Sequence, residues 1–170
     1  TAQPDTRALI FFGLIHLIRG LAALAEFMLA WADPKQTGGG REPPTIAAAL
    51  LAINLGVYLL SLLISGLGLL VRASWGWKAA VFFYANESAK YGCVLLLAFF
   101  GGALTVESIH TSAEAAVMLV VSAFMLSIFF LPSVAAPCNI RPGRVSTTAF
   151  PYVVAGMVLA MTKLAGVLAA

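Results

Sequence analysis

Six ionisable side chains lie deep inside long apolar stretches of this chain: His16, Arg19 and Glu26 in the first stretch, Glu87 and Lys90 in the third, Lys163 in the fifth. Groups of this kind can pair across helices, relay protons or hold a polar ligand. A lone histidine can also ligate a metal, a haem or a pigment through one ring nitrogen. At the centre of a hydrocarbon layer each charge costs roughly 2.5–3.5 kcal/mol on insertion scales unless it is paired or solvated. Residues with that cost need partners, and their spacing says where those partners are to be sought.

At about 100° of rotation per residue, Phe12, His16, Arg19, Ala23, Glu26 and Ala30 fall on one helical stripe, and Phe83, Glu87, Lys90, Val94 and Ala98 on another, with Asn86 beside it. Both stripes are expected to face the interior of a bundle. A rise of about 1.5 Å per residue puts Arg19 and Glu87 at similar depth, and Lys90 and Lys163 near the middle. The expected arrangement is a polar network of His16, Arg19, Glu26, Asn86, Glu87, Lys90 and Lys163. Within it Arg19 pairs with Glu87, and Glu26 with Lys163 or Lys90. Glu87 and Lys90, three apart, can also pair within their own helix. Three cations (Arg19, Lys90, Lys163) face two acids (Glu26, Glu87). One cation is therefore left to lie neutral, to reach the interface, or to meet a carboxylate, lipid head or ligand from outside the chain. The simpler alternative is that these pairs only fix helix register.

Other signals are weaker. His16 has no second histidine within a span, since His110 is expected in a loop, so haem held by two histidines is not expected. Contact of His16, Asn54 or Asn86 with a pigment or ligand stays open beside an ordinary hydrogen-bonded core histidine. Asn86-Glu87-Ser88 matches a glycosylation sequon but falls within a predicted span. No nucleophile elbow, histidine-rich metal box, phosphate loop or paired-aspartate motif occurs. Glu87 with Lys90 is a solitary acid and base. No catalytic residue or metal site is singled out; catalysis by this pair is conceivable, but the reading leans away from an enzyme. Cys93 and Cys138 are expected to be free thiols, because two such cysteines make no disulfide framework.

The elements that must position these groups follow from composition. Of 170 residues 61% are hydrophobic and 10% charged, against about 25% charged in ordinary soluble domains. Too few charges remain to cover a globular surface. The apolar runs reach the roughly 20 residues that cross a hydrocarbon core and lack the alternation of barrel strands. The prediction is an all-α, polytopic integral membrane helix bundle in one domain, residues 1–170, with five transmembrane helices at about 8–31, 45–71, 79–104, 112–136 and 149–170. Four helices plus a partial fifth is the alternative. The first run is too long for a signal-peptide core and is read as a membrane helix. Pro43-Pro44 opens the second helix, and Arg72 to Lys78 forms a basic turn. Thr111 and Glu114 read as a capping box for the fourth helix. Ala48, Ala52 and Gly56, and likewise Gly156 and Ala160, form small-residue ridges suited to close helix packing.

Loop cations set direction. Arg7, Arg72, Lys78, Arg141 and Arg144 share one side and Lys35 and Arg41 the other, so the N-terminus is expected on the inner side (cytoplasm, stroma or matrix) and the C-terminus outside. Trp31, Trp75, Trp77 and Tyr152 fall at predicted helix ends as interfacial anchors. The ten cations are scattered, which excludes a nucleic-acid footprint. The partners expected are the lipid bilayer and other membrane subunits, with lipid as the bound small molecule and pigment or haem as the remote one. Three functions are weighed: first a non-catalytic accessory subunit of a larger membrane complex, second a small transporter or ligand-binding protein in which Glu87 and Lys90 handle protons or a polar substrate, and third a membrane enzyme.

Overall fold

The computed structural model describes residues 6–32, 46–100 and 106–168. They form five long helices: α1 (Thr6–Ala32), α2 (Ile46–Leu70), α3 (Ser74–Phe100), α4 (Val106–Phe129) and α5 (Val145–Leu168). A single turn, Pro132–Ala135, and two short 3-10 segments, Ala136–Cys138 and Pro142–Arg144, join α4 to α5. There is no strand among the described residues. Four of the helices, α1, α2, α4 and α5, are long and apolar enough to cross a membrane. At 27 residues α3 is equally long. Tyr84, Asn86, Glu87, Ser88, Lys90 and Tyr91 dilute its apolar character, so it does not join the four on composition.

The bundle is built around that most polar helix. Helices α2, α4 and α5 all pack on α3, and α1 lies along α2. Trp77, Ala80, Val81, Phe83, Tyr84, Ala85, Asn86 and Glu87 of α3 are buried. From α1, Leu9 and Phe12 join this core together with Leu62 and Leu69 of α2 and Phe129 of α4. The outer faces are apolar: Ile18, Leu60, Val120, Phe124 and Phe150 are all exposed.

Glycines allow the closest approaches, because a missing Cβ lets backbones meet. A Cβ on Gly156 would lie 2.6 Å from the Phe82 carbonyl oxygen and 2.9 Å from the Asn86 nitrogen. The α5 ridge of Gly156 and buried Ala160 thus seats on α3. Gly13 meets the Gly66 carbonyl at the α1–α2 crossing, and Gly68 meets Gly76 where α2 turns into α3. The expected ridge on α2 does not hold at Gly56, where a Cβ would meet nothing; the side chains of Ala48 and Ala52 lie outside the described ones. Gly76→Ala is accordingly expected to lose about 2 kcal/mol through overpacking. Gly56→Ala should be neutral or gain up to about 1 kcal/mol of helix propensity. Thermal denaturation of both variants in one detergent checks the contrast.

Several boundaries differ from expectation for local reasons. After α2 the chain reverses at Arg72, whose φ is 55°. Ala73 N–H donates to the Gly68 carbonyl and Arg72 N–H to that of Leu69, the paired bonds of a Schellman cap. The basic turn is therefore short. Trp75, Trp77 and Lys78 belong to α3, and Trp77 is fully buried, donating from Nε1 to the Phe129 carbonyl at 2.9 Å. It ties α3 to α4 and is no interfacial anchor. Helix α4 starts five residues before Thr111, so Thr111 and Glu114 lie inside the helix and not at its start, and His110 is helical. Its other end comes early, at Phe129, because Leu131 precedes Pro132 and is extended (ψ 131°). Helix α5 begins at Val145 and carries Pro151 inside. The Pro43-Pro44 start of α2 lies outside the described residues.

Candidate functional site

His16 is fully buried between α1, α2 and α3. Its Nδ1 meets the Ser65 hydroxyl, and its Nε2 lies 2.8 Å from the Tyr84 hydroxyl. The directions follow from proton counting. Ser65 has one hydroxyl proton and donates it to the Leu62 carbonyl at 3.0 Å. Ser65 Oγ must then accept from His16 Nδ1–H, which leaves Nε2 as the acceptor for the Tyr84 phenol. The result is one directed chain, Tyr84 to His16 to Ser65 to the Leu62 carbonyl, crossing three helices. The rings of Phe83 and Tyr84, 5.4 and 5.2 Å from the imidazole, close it in. Ligation of a pigment or metal by His16 would require breaking one of these bonds.

One turn further along α3 lies the ion pair. Lys90 Nζ donates to Glu87 Oε1 at 2.7 Å, within the helix. Glu87 is 3% exposed. The lysine ammonium also lies 4.3 Å from the ring centre of Tyr91 and 5.9 Å from that of Tyr58. Arg19 also approaches Tyr58, its Nη2 3.5 Å from the hydroxyl, with its guanidinium 5.7 Å from the centre of the Phe83 ring. Tyr58 thus lies near both cations.

The expected Arg19–Glu87 pair is not formed. Glu87 is engaged by Lys90, a partner one helical turn away that needs no second helix to be fixed. Nor does Lys90 reach Glu26, which is exposed on α1. The Lys163 side chain, and with it the Glu26–Lys163 pair, lies outside the described side chains. The stripe on α1 also divides. Phe12 and His16 face the core, whereas Arg19 and Glu26 are exposed, because a step of three residues falls about 60° short of a full turn. On α3 Phe83 and Glu87 of the expected stripe are buried, with Asn86 beside them, whereas Lys90, Val94 and Ala98 are half-buried. Asn54 is buried on α2.

Arg19 and Glu87 nevertheless line one small cleft, with Phe83, Tyr84, Met118, Val121 and Ser122. Its volume of about 20 Å³ holds about one water molecule. Ser88 donates to Ser122 Oγ at 3.1 Å, and Ser122 to the Leu119 carbonyl, so the α3–α4 wall is hydrogen-bonded. Sequence reasoning missed Tyr58 and Tyr84. Both had a readable signal: Tyr84 stands three before Glu87, and Tyr58 shares a helical face with Ser61 and Ser65.

No group of three His, Cys, Asp or Glu side chains able to hold a metal occurs among the described residues. Cys93 and Cys138 are free and buried, and Cys93 lies against Met161. Burial in the α4–α5 connection pushes the Cys138 thiol from 9.0 up to about 11. At pH 8 its alkylation in the folded protein is expected to be about 100-fold slower than that of an ordinary thiol, from the lost thiolate fraction alone. The thiol binds its proton more tightly when folded, so its contribution to stability is complete below pH 9 and is lost as pH rises towards 11. Labelling rates before and after denaturation measure the first effect, and melting temperature against pH the second.

Comparison of the chain with family models, with curated proteins and with solved structures gives no match.

Proposed function

We propose that this chain is a non-catalytic subunit embedded in a larger membrane assembly. In this reading all five long helices span the bilayer. Helix α3 is the fifth span, its polar residues shielded from lipid by α2, α4 and α5, and the N-terminus lies on the inner side. The observation that carries the reading is Arg19. It is exposed on the outer surface of α1, roughly 20 Å along the helix at about 1.5 Å per residue, and no carboxylate pairs with it among the described residues. A guanidinium at that depth is costly in lipid and is retained where something outside the chain answers it. Glu26, exposed on the same helix, adds a second polar group to that surface.

The test is the native mass of the protein extracted in mild detergent from its own source, with and without Arg19→Leu. A large complex containing the chain, lost in the variant, supports the subunit reading. A lone monomer or small homo-oligomer defeats it.

The cleft shared by Arg19 and Glu87 favours a second reading, a small transporter or ligand-binding protein handling protons or a polar molecule. That reading expects Glu87→Gln to stop uptake into proteoliposomes while leaving the melting temperature within a few degrees of the parent protein.

A further inference from the structure

Helices α1 and α4 are brought together at one end, where the rings of Phe12 and Phe129 lie 5.5 Å apart. Beyond this point they are separated by the cleft, whose floor is α3. Arg19 forms the α1 wall. Met118, Val121 and Ser122 form the α4 wall, and Phe83, Tyr84 and Glu87 the floor. Above the walls the surfaces are apolar, with Ile18 65% exposed on one side and Val117 61% exposed on the other. Helix α4 is also the least buried of the four apolar helices, with 17% of its span covered. The cleft is therefore small, with one cation set into it and exposed apolar side chains of α1 and α4 on either side. The floor adds no net charge, because Glu87 is neutralised by Lys90.

We infer that this groove seats a membrane helix of another protein, and that the helix carries an Asp or Glu at the depth of Arg19. The inference rests on the subunit reading and names the partner's chemistry. Charge selects the residue. Arg19 has a neutral phenol at 3.5 Å and an aromatic face beside it, and a carboxylate would give its planar fork a bidentate, fully charged partner. The surroundings select the element, since the exposed apolar faces of α1 and α4 flank the cleft, and a partner segment lying on them within the hydrocarbon layer must satisfy its own backbone, as a helix does. Depth rules out the two nearest competitors. A phospholipid head belongs at the interface, above this level. A second copy of the chain, inserted in the same direction about a two-fold axis normal to the membrane, places its own Arg19 at the height of the first. The only exposed acid on this face of α1, Glu26, is then roughly 10 Å higher at about 1.5 Å per residue.

The experiment uses the native complex. A photo-reactive benzoylphenylalanine is placed at Val121 in the groove, or at Leu60 on the far face of α2 as control, in chains that otherwise keep Arg19. Irradiation followed by peptide sequencing is expected to join Val121 to an apolar segment of a different protein containing an Asp or Glu, and Leu60 to give at most one-tenth of that yield. Arg19→Leu is expected to abolish the Val121 product, and Arg19→Lys, which keeps the charge, to retain part of it. A complex of full mass that cross-links from Leu60 and not from Val121 overturns the groove and leaves the subunit reading standing. So does a Val121 product whose segment has no acid, or one to this same chain. A chain that runs alone on native mass removes both.

Discussion

Glu87→Ala is expected to lower stability by about 3 kcal/mol, the lower end of what is measured when one member of a buried ion pair is removed. The carboxylate is 3% exposed and Lys90 reaches it at 2.7 Å, so the truncation leaves an ammonium among Tyr58, Tyr91 and apolar helix surface. The lysine side chain keeps 22% exposure and can retreat outward, which is why the loss stays at the low end. The double variant Glu87→Ala with Lys90→Leu should recover most of the loss, because no charge is then stranded. A double-mutant cycle on unfolding in mixed micelles reads the coupling directly. A single variant as stable as the parent would mean that the pair is not formed in the folded protein. Recovery in the double variant, with assembly retained, would assign the pair to structure and shift weight on to Arg19 for partner choice.

The second large effect is expected at His16. Leucine there removes the donor to Ser65 and the acceptor of Tyr84 together, at a site with no exposure. Each buried partner left without its bond costs about 1–3 kcal/mol, so a loss near 3 kcal/mol is expected. Tyr84→Phe should cost about 1 kcal/mol, because only the Nε2 lone pair is orphaned. The order of the bonds gives a sharper check. If Nδ1 carries the proton, nitrogen NMR of labelled protein shows a protonated Nδ1 and an accepting Nε2. Ser65→Ala then leaves an orphan donor, whereas Tyr84→Phe leaves an orphan acceptor. The opposite tautomer would break the chain of donation inferred from Ser65 and Leu62.

What the residues revealed, and what they concealed, divides along a physical line. Long apolar runs and the first part of the α3 stripe were legible because a helix converts spacing into direction: Phe83 and Glu87 share a face and both are buried, while further along Lys90, Val94 and Ala98 are only half-buried. The partner of Glu87 was not legible. Depth alone allowed Arg19 or Lys90, and the choice depends on how α1 is rotated on α2, which Gly13 and Gly66 fix by their backbone contact. The same rotation turns His16 inward and leaves Arg19 at the groove. The capping box at Thr111 misled because its pattern is short, and Val106 to His110 could extend the helix past it. Trp77 misled for a related reason. Tryptophan near a helix end is ordinarily an interfacial residue, but α3 crosses α2 so closely at Gly68 and Gly76 that Trp77, next in the chain, is already buried.

That crossing bears on how the chain is made. A translocation channel reads hydrophobicity one segment at a time, and α3 by its own composition is a poor stop signal. If α3 spans the bilayer as proposed, the turn of three residues and the glycine-on-glycine contact that join it to α2 let it leave the channel as the second arm of a hairpin whose first arm is strongly apolar. Biogenesis of the most polar helix then depends on the sequence before it. Truncations ending after α3 should integrate that segment efficiently when α2 is present and poorly when a polar spacer replaces it.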